Sequence, residues 1–597
     1  MTIEKDTEHI KKIPYGISDY GEFRNQSYYY VDKTSYLKAI REAGSYLFFT
    51  RPRRFGKSLF LTMMSAYLDV YYKDQFEELF KDTWIYNHAT EDRNQYLVLA
   101  FNFAMVDPSS DVLKESFLEH VREMAVDFIE KYREYLSASK KIEYYAQKVE
   151  QSRSAADILS RIIAICKGAH QHLYVIIDEY DNFTNTILTT VGKKAYYNLT
   201  QGAGFFRAFF NVLKGGTTAM DASITRLFIT GVSPVTMDDV TSGFNIGKNI
   251  STEADFNCML GFTKSDVKTM IEYYRSKGLI VHPTEYLLNI MAEWYGNYQF
   301  SKKGKEKMFN SDMVLYFMDN YLEGKELPED LIDTNVRIDY GKLRHLIILD
   351  QDNTKKTNGN FSKLKEIIEE SGTAAKIVKG FPLEQLLDSN NFKSLLFYFG
   401  LLTIKGPEQD KLRLEIPNET ARRLYYDYIS AAYRETGVFA MNLSEYADLM
   451  SNMAYNGEWE PLFDFITLLM RESSSLRDLI TGEKSIQAFL NVYLGLSDLY
   501  IIHPERELNK GYVDILMEPF LARYEGIKYA YLLELKYIHA GLSINEPAVQ
   551  QLKREAEMQI QQYSLDVKFK KSLEKTTLLK IILIFSGHDA VYRDVSR

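Results

Sequence analysis

Short apolar runs alternate with longer segments of helical spacing in the first 260 residues. The apolar runs have strand length and cover 45–50, 96–104, 173–183 and 226–234. The segments between them have helical periodicity, as in LFLTMMSAYLDVYY. Buried strands that alternate with helices are typical of a parallel sheet covered on both faces. We therefore predict an N-terminal α/β domain over residues 1–260.

The pattern changes after this domain. Helical periodicity dominates 261–349, which predicts a helical lid, and 350–440, which predicts a mainly helical middle module. The middle module has one expected hairpin, formed by SLLFYFGLLTIKG and KLRLEIPN. The last segment, 441–597, begins with helices and ends in the strand-like runs GYVDILMEP, YAYLLELKY and LLKIILIFSG. We predict a second α/β domain there.

The loop after the first apolar run has the sequence RPRRFGKS. Gly56, Lys57 and Ser58 match the second half of a P-loop, in which backbone N–H groups and a lysine bind phosphates and a hydroxyl binds magnesium. Arg51 stands where that pattern has its first glycine, and Arg54 adds a cation near the predicted helix N-terminus. For the loop taken alone, a solvated basic turn is an equal alternative.

Acidic residues at the end of the third apolar run strengthen the phosphate reading. Asp178 and Glu179 follow LYVII, where a strand of a nucleotide-hydrolysing site delivers one carboxylate toward magnesium and the next toward the attacking water. Helix capping is the alternative for such residues. Asp181 fits either a contact with the arginine-rich loop or a cap. Thr230 and Ser233, at the end of the fourth run, are candidate polar sensors between the two strands, although a hydroxyl there is more often structural.

A second set of charged residues lies near the C-terminus. Asp514 is in GYVDILM, and Glu534 and Lys536 share one face of YAYLLELKY because strand side chains alternate. Two carboxylates on a shared divalent metal, with a lysine beside them, are what phosphodiester hydrolysis requires. Glu507 is a candidate third metal ligand. A buried Glu–Lys pair without metal is the alternative.

Several other residues have two readings each. Gln559 and Tyr563 share one face of the following predicted helix and can support the site. A group of basic residues is predicted either to contact a phosphate backbone or to form a solvated basic face: Lys553, Arg554, Lys568, Lys570 and Lys571. Three tyrosines are predicted either to form a protein-recognition surface or to pack at the edge of the core: Tyr425, Tyr428 and Tyr433. Candidate arginine fingers are Arg207 and Arg226.

Composition and charge narrow the classes of function. The chain is 46% hydrophobic and 26% charged, as in folded globular proteins, and its net charge of −9 gives no overall basic field for nucleic acid. Cys166 and Cys258 lack metal-ligand spacing, so we expect buried small apolar residues in a reducing compartment. A charged N-terminus and the lack of any 18-residue apolar stretch predict a cytoplasmic protein without a secretory signal or membrane span.

Motifs over most of the chain resemble a bacterial and archaeal family, the AAA-ATPase-like proteins with a C-terminal PD-(D/E)XK nuclease-superfamily domain. The N-terminal motifs are PYGISDYGEFR, YYYVDKTSYL, RPRRFGKSLFLTM, IIDEYD, FITGVSP, LGFTKSDV and WYGNYQFS; the C-terminal ones are RELNKGYVDI, LLELKY and MQIQQY. The resemblance implies an α/β fold with an N-terminal P-loop NTPase sheet, a helical lid, and a C-terminal restriction-endonuclease-like domain. It also implies that Arg51 belongs to the family's own form of the phosphate loop.

The resemblance further implies an active site, made of Glu507, Asp514, Glu534 and Lys536 with Gln559 and Tyr563 in support. Where family members more often have Gly-Arg, this chain has Gly511 and Tyr512, which removes a cation near the expected phosphate.

Two hypotheses follow from these expectations. The first is a protein that binds and hydrolyses ATP with Mg²⁺ and is coupled to a metal-dependent nuclease, with DNA favoured over RNA, in defence or mobile-element biology. Lys57 and Ser58 then bind phosphate and magnesium, Asp178 positions the metal, and Glu179 activates water. The second is an ATP-controlled interaction switch whose C-terminal domain binds nucleic acid or protein without cleavage. Both are compatible with a homo-oligomer.

Overall fold

The computed structural model describes residues 10–109, 112–182, 186, 199–200, 204–218, 221–235, 247–336, 359–370, 372–386, 388–435, 442–472, 480, 482–509, 511–538, 547–565, 575–587 and 589–596. The chain divides into two compact units. The first contains Met1–Leu346 and Ala374–Asn418, and the second contains Ile347–Thr373 and Glu419–Arg597. Both units therefore share the segment expected to form the middle module, and the four-segment division stays a prediction.

A five-stranded sheet forms the centre of the first unit. Its strands are β1 (Tyr46–Thr50), β2 (Leu97–Asn102), β3 (Leu173–Asp178), β4 (Ile224–Gly231) and β5 (Lys248–Asn249), in the order β2-β3-β4-β1-β5. Neighbouring strands pair in parallel. The predicted parallel sheet is confirmed, and β4 separates the strand before the glycine-containing loop from the strand that ends in Asp178.

Helices precede β1 and lie in the described connections between these strands. They are α1 (Tyr20–Asn25), α2 (Ser35–Ala43), α3 (Lys57–Leu68), α4 (Phe76–Phe80), α5 (Trp84–Asn87), α6 (Leu113–Lys131), α7 (Arg133–Leu136), α8 (Ile142–Glu150), α9 (Ala155–Gly168) and α10 (Phe205–Gly215). Helix α9 shows why they form: the Ser154 side chain caps it by accepting the Asp157 N–H, and Ile158, Ile162 and Ile165 recur on one buried face. That face packs into the core beside the sheet.

Residues 262–336 are helical with two short strands. The elements are β6 (Phe262–Thr263), α11 (Lys264–Ser276), α12 (Thr284–Tyr295), β7 (Met308–Phe309) and α13 (Ser311–Gly324). A capping box formed by Thr263 and Asp266 begins α11. The helical character expected after residue 261 is therefore observed in this stretch.

The following stretch mixes helices and strands. Its elements are α14 (Gly359–Glu369), β8 (Gly372–Ala375), α15 (Ser389–Tyr398), β9 (Thr403–Glu408), β10 (Lys411–Glu415) and α16 (Glu419–Glu435). Strands β9 and β10 form the expected antiparallel hairpin. The prediction of a strand is wrong for the first part of SLLFYFGLLTIKG, because Ser394–Tyr398 lies in the helix α15. The side chains of these five residues are all buried.

A second five-stranded sheet forms the centre of the second unit. The elements are α17 (Leu443–Asn456), α18 (Glu460–Glu472), α19 (Glu483–Leu494), β11 (Tyr500–Leu508), β12 (Gly511–Pro519), β13 (Tyr529–Ile538), α20 (Pro547–Tyr563), β14 (Thr577–Ser586) and β15 (Asp589–Ser596). The strand order follows the chain, with β13 and β14 parallel and the other neighbours antiparallel. Apolar residues of α20 pack on this sheet.

Some residues singled out in the sequence pack in the interior. Cys166 is buried, as expected, and Cys258 is half-buried. Tyr425 and Tyr428 are buried in α16, which favours packing over a recognition surface; the side chain of Tyr433 lies outside the described residues. Within the described ranges, none of the helices combines the length and apolar character that a membrane span requires.

Candidate functional site

The loop between β1 and α3 contains two residues with left-handed backbone. Gly56 has φ +86° and Arg54 has φ +68°. Glycine takes this conformation without steric penalty, whereas an arginine rarely does. Gly56 directly precedes the first residue of α3. The unpaired N–H groups of the first helical turn therefore lie at the loop, which is a favourable place for an anion.

Four side chains converge at this loop from β3 and α3. The Ser58 hydroxyl donates to Asp178 Oδ2 at 2.8 Å, although the residues are 120 positions apart. Lys57 is buried; its Nζ donates to two loop carbonyl oxygens, each at 3.2 Å, and lies 3.8 Å from Glu179 Oε1. The two sequence elements expected to form one site are thus brought together.

Electrostatics at Asp178 are set mainly by its burial. Burial raises the pKa of Asp178 to about 6, with a further rise from Glu179, while Lys57 and the Ser58 hydrogen bond act in the opposite direction. The Glu179 N–H donates to Asp178 Oδ1 at 2.9 Å. A buried carboxylate beside a hydroxyl is the oxygen set that Mg²⁺ prefers. These residues fit the expected cation.

A pocket of about 530 Å³ opens at this site, within the usual range for small-molecule pockets of roughly 300–1,000 Å³. Lys57, Ser58 and Glu179 line one part of it. Aromatic and apolar side chains line another part, including those of Ile17, Tyr29, Phe55, Met259 and Leu260. The pocket therefore combines a cationic and hydroxyl-bearing part with an apolar part, as a nucleotide requires.

The structure corrects the expected role of Arg51. Its side chain is 1% exposed and does not line the pocket. Its guanidinium lies between the rings of Phe49 and Phe300, 4.3 and 4.2 Å from their centroids. It donates to the carbonyl oxygens of Ser251 at 2.6 Å and Phe256 at 2.7 Å. Burial lowers the pKa of Arg51 to about 9. The side chain fastens the loop to the core and is not placed to bind nucleotide.

Arg54 does line the pocket, and it is held by carboxylates. Its Nη1 lies 2.7 Å from Asp312 Oδ2 and 3.3 Å from Asp333 Oδ2. Arg226 lies in the first half of β4 and donates to the carbonyl oxygens of Arg41 and Gly44, and its role as an arginine finger stays a prediction. Arg207 lies in α10, and its role stays a prediction.

The end of β4 is braced by Asp181. Its carboxylate accepts the backbone N–H groups of Val232 (3.1 Å) and Ser233 (2.5 Å). The hydroxyl of Thr230 is buried without a hydrogen-bond partner among the described residues, while Ser233 Oγ accepts the Val235 N–H. A buried hydroxyl without a partner is compatible with the expected sensor role of Thr230, which stays a prediction. The hydroxyl of Ser233 stabilises the local turn.

In the second unit, the predicted charged residues meet on β12 and β13. Asp514 Oδ2 accepts the Leu535 N–H at 2.7 Å, and Lys536 Nζ donates to Glu534 Oε1 at 2.8 Å. Glu534 is 2% exposed, and its Oε2 has no hydrogen-bond partner within the described part of the chain. An unpartnered buried carboxylate oxygen is costly unless a cation accompanies it.

The pKa shifts at this centre follow first from burial and then from the neighbouring charges. Burial, followed by the charge of Glu534, raises the pKa of Asp514. Burial also raises the pKa of Glu534. Although burial alone lowers the pKa of Lys536, the neighbouring Glu534 and Asp514 raise it above its ordinary value. Lys536 is therefore kept as a cation, and the two carboxylates have the character of ligands that need a further positive charge.

Glu483 was missed by the sequence reasoning. It begins α19, and its charge acts on Asp514, Glu534 and Lys536. One turn later, Gln487 Nε2 donates to the carbonyl oxygen of Asp514 at 2.7 Å. The available signal was the four-residue spacing of these two polar residues at the start of an otherwise apolar helix.

The expected third carboxylate, Glu507, is exposed on β11, opposite Tyr512. No interaction that the structure gives links Glu507 to the centre, so its role as a metal ligand stays a prediction. Within the described ranges, no three acidic, histidine or cysteine side chains gather closely enough to hold a metal ion by themselves. The residues present fit a cation with two protein carboxylates and further ligands from solvent or substrate.

Of the two supporting residues expected on α20, the structure links Tyr563 to the centre. Asp514 and Glu534 both influence the pKa of Tyr563, which burial raises. Gln559 has a buried Oε1 without a partner among the described residues. Lys553 contacts the Tyr592 ring at 4.3 Å, and Arg554 is exposed. The expected basic residues Lys568, Lys570 and Lys571 lie outside the described residues.

Fold and sites together define a mixed α/β protein with a loop-and-carboxylate pocket in its first unit and a carboxylate–lysine centre in its second. Known protein families match segments of both units. The predicted AAA-ATPase family matches residues 14–241, and the PD-(D/E)XK nuclease superfamily matches residues 481–594. The chain therefore contains an N-terminal segment that matches the AAA-ATPase-like family and a C-terminal segment that matches the PD-(D/E)XK nuclease superfamily, as its motifs indicated.

One relative is an Azotobacter chroococcum mcd 1 protein described as an uncharacterized protein in the vnfD 5' region. The two are 27% identical over 260 residues, which is 43% of this chain and 44% of the relative. The match thus spans less than half of that protein's length.

Proposed function

We propose that this protein binds and hydrolyses ATP with Mg²⁺ and that its C-terminal domain is a metal-dependent nuclease, with DNA favoured over RNA. The observation that carries the nuclease proposal is the environment of the buried Glu534. Its carboxylate accepts a hydrogen bond from Lys536, and its charge contributes to the raised pKa of Asp514. One of its carboxylate oxygens has no partner among the described residues. A coupling of the two activities would fit a role in defence against foreign DNA or in mobile-element maintenance.

The nucleotide proposal is supported by the convergence of four side chains at the start of α3. Lys57 Nζ donates to two loop carbonyl oxygens that a phosphate group can replace. Ser58 and Asp178 would hold Mg²⁺, which when bound neutralises phosphate charge. Glu179 would accept a proton from the attacking water, since its carboxylate lines the pocket next to Lys57.

At the second centre, Asp514 and Glu534 would hold the metal. When bound, a divalent ion there stabilises charge on a phosphodiester and activates water. Lys536 is kept protonated by its neighbours. It is therefore suited to stabilise negative charge on the phosphate in the transition state rather than to remove a proton.

The test is cleavage of labelled DNA and RNA by the full chain, with and without Mg²⁺ or Mn²⁺ and with and without ATP. Lys536→Ala should lower metal-dependent cleavage by about 100-fold or more, by the loss of one transition-state charge contact. Lys580→Ala is the matched control, because Lys580 is another lysine of the same sheet, buried on β14. Identical cleavage by wild type and Lys536→Ala would remove the nuclease proposal.

The alternative is an ATP-controlled interaction switch, and the same experiment decides it. Metal-independent binding of nucleic acid without cleavage in every condition supports the switch. Cleavage whose rate depends on ATP supports the coupling of the two activities. Cleavage that ignores ATP supports two independent activities in one chain.

A further inference from the structure

Arg54 joins the loop before α3 to distant parts of the first unit. The residue takes the left-handed conformation, with φ +68°, and its side chain is 20% exposed at the pocket. Its guanidinium Nη1 is 2.7 Å from Asp312, in the first turn of α13, and 3.3 Å from Asp333. At the pocket, therefore, a loop cation close in sequence to Lys57 is paired with two carboxylates, of which Asp312 also lines the pocket.

The connection runs through the backbone as well. The carbonyl oxygen of Arg54 accepts the Asp312 N–H at 3.2 Å and the Ser311 hydroxyl at 3.4 Å. Asp333 is 4% exposed and also accepts the Tyr15 hydroxyl, at 2.5 Å. The position of Arg54 is thus linked to the start of α13 and, through Asp333, to the segment before α1.

We propose that Arg54 is a specificity-determining residue that distinguishes a nucleoside triphosphate from a diphosphate, because the terminal phosphate competes with Asp312 and Asp333 for its guanidinium. This inference rests on the proposed nucleotide binding. Arg54 lies three residues before Lys57, and both line the pocket. A guanidinium binds phosphate through two parallel hydrogen bonds, and a diphosphate has no terminal group at that position.

The exchange of partners has a consequence for α13. When Arg54 binds phosphate, Asp312 and the buried Asp333 lose their shared cation. A buried carboxylate without its partner is unfavourable, so the residues around it must rearrange or bind another cation. A ligand shifts a conformation only through contacts that differ between the two states, and this exchange supplies such a difference. Triphosphate binding is thereby transmitted to the first turn of α13.

The experiment measures dissociation constants of the full chain for a fluorescent, non-hydrolysable ATP analogue and for fluorescent ADP, both with Mg²⁺. Arg54→Ala should weaken binding of the ATP analogue by about 10- to 100-fold, from the loss of a charge-assisted contact, and leave ADP binding within about twofold. Arg54→Lys should fall between the two, because it keeps the charge and loses the paired geometry.

Asp312→Asn gives a change of opposite sign. The substitution weakens the hold on Arg54, so the ATP analogue should bind about 3- to 10-fold more tightly while ADP binding stays constant. A residue with only a structural role would weaken both ligands. Glu253→Gln is the charge-matched control, since its ion pair with Lys248 lies outside the pocket, and it should change neither constant.

The outcomes separate this inference from the proposed function. Wild type that binds neither ligand overturns both proposals. Wild type that binds both ligands, with Arg54→Ala weakening them equally, overturns only the assignment of Arg54. Asp312→Asn that weakens the ATP analogue also overturns it, provided that thermal melting shows the variant to be folded.

Discussion

Replacing Arg51 by methionine tests whether this residue serves the fold or the nucleotide. In the structure the guanidinium donates to the carbonyl oxygens of Thr50, Ser251 and Phe256, at 3.0, 2.6 and 2.7 Å. Methionine can fill the space between the two phenylalanine rings but donates no hydrogen bond. Arg51→Met therefore removes the donors while keeping most of the packing.

The size of the effect follows from the carbonyl oxygens of Thr50 and Ser251, since that of Phe256 also accepts the Met259 N–H at 3.4 Å. Each buried acceptor left without its donor costs about 1–3 kcal/mol, so the loss is roughly 2–6 kcal/mol. Burial of the cation opposes this, because it lowers the pKa of Arg51 to about 9 and thus disfavours the charged form. Removing the charge recovers part of that penalty. We expect a net destabilisation of about 2–4 kcal/mol.

The assay is urea denaturation of the full chain, followed by nucleotide binding at a temperature where both proteins are folded. Arg51→Met should unfold at lower urea and bind the ATP analogue within about threefold of wild type, since its side chain is remote from the pocket lining. Arg53→Met is the control, because Arg53 lies two positions after Arg51 in the same loop and, unlike Arg51, lines the pocket. A variant with wild-type stability and lost nucleotide binding would refute the reasoning and restore Arg51 to the nucleotide site.

Three further predictions follow from single positions. Gly231→Ala places a Cβ against the Asp181 carboxylate and should destabilise the first unit by about 1–3 kcal/mol, measured by urea midpoint. Burial lowers the pKa of His120, so its contribution to stability is complete above about pH 6.5 and is lost at lower pH. The decline is at most about 1.4 kcal/mol per pH unit. His120→Leu should flatten this decline in melting curves measured at about pH 5.5 and 7.5. Glu483→Gln should lower metal-dependent cleavage of labelled DNA about 10- to 100-fold.

The sequence by itself determined the long strands of the first sheet and which side chains share a strand face, although it wrongly predicted a strand at Ser394–Tyr398. Apolar runs over 45–50 and 173–178 are strands because their continuous apolar character suits burial on both faces of a parallel sheet. Alternation placed Glu534 and Lys536 together, and the structure joins them at 2.8 Å. These properties depend on neighbours within a few residues, so local periodicity is sufficient to predict them.

Only the tertiary structure decided where the loop arginines go. Arg51 and Arg54 are three residues apart in one basic loop, yet the first is buried among carbonyl oxygens and the second pairs with Asp312, 258 residues away. Glu483 likewise reaches Asp514 from a helix that precedes its strand. A charged side chain's partner is set by which distant backbone and carboxylate groups the packing brings within a few ångströms, and no local pattern carries that information.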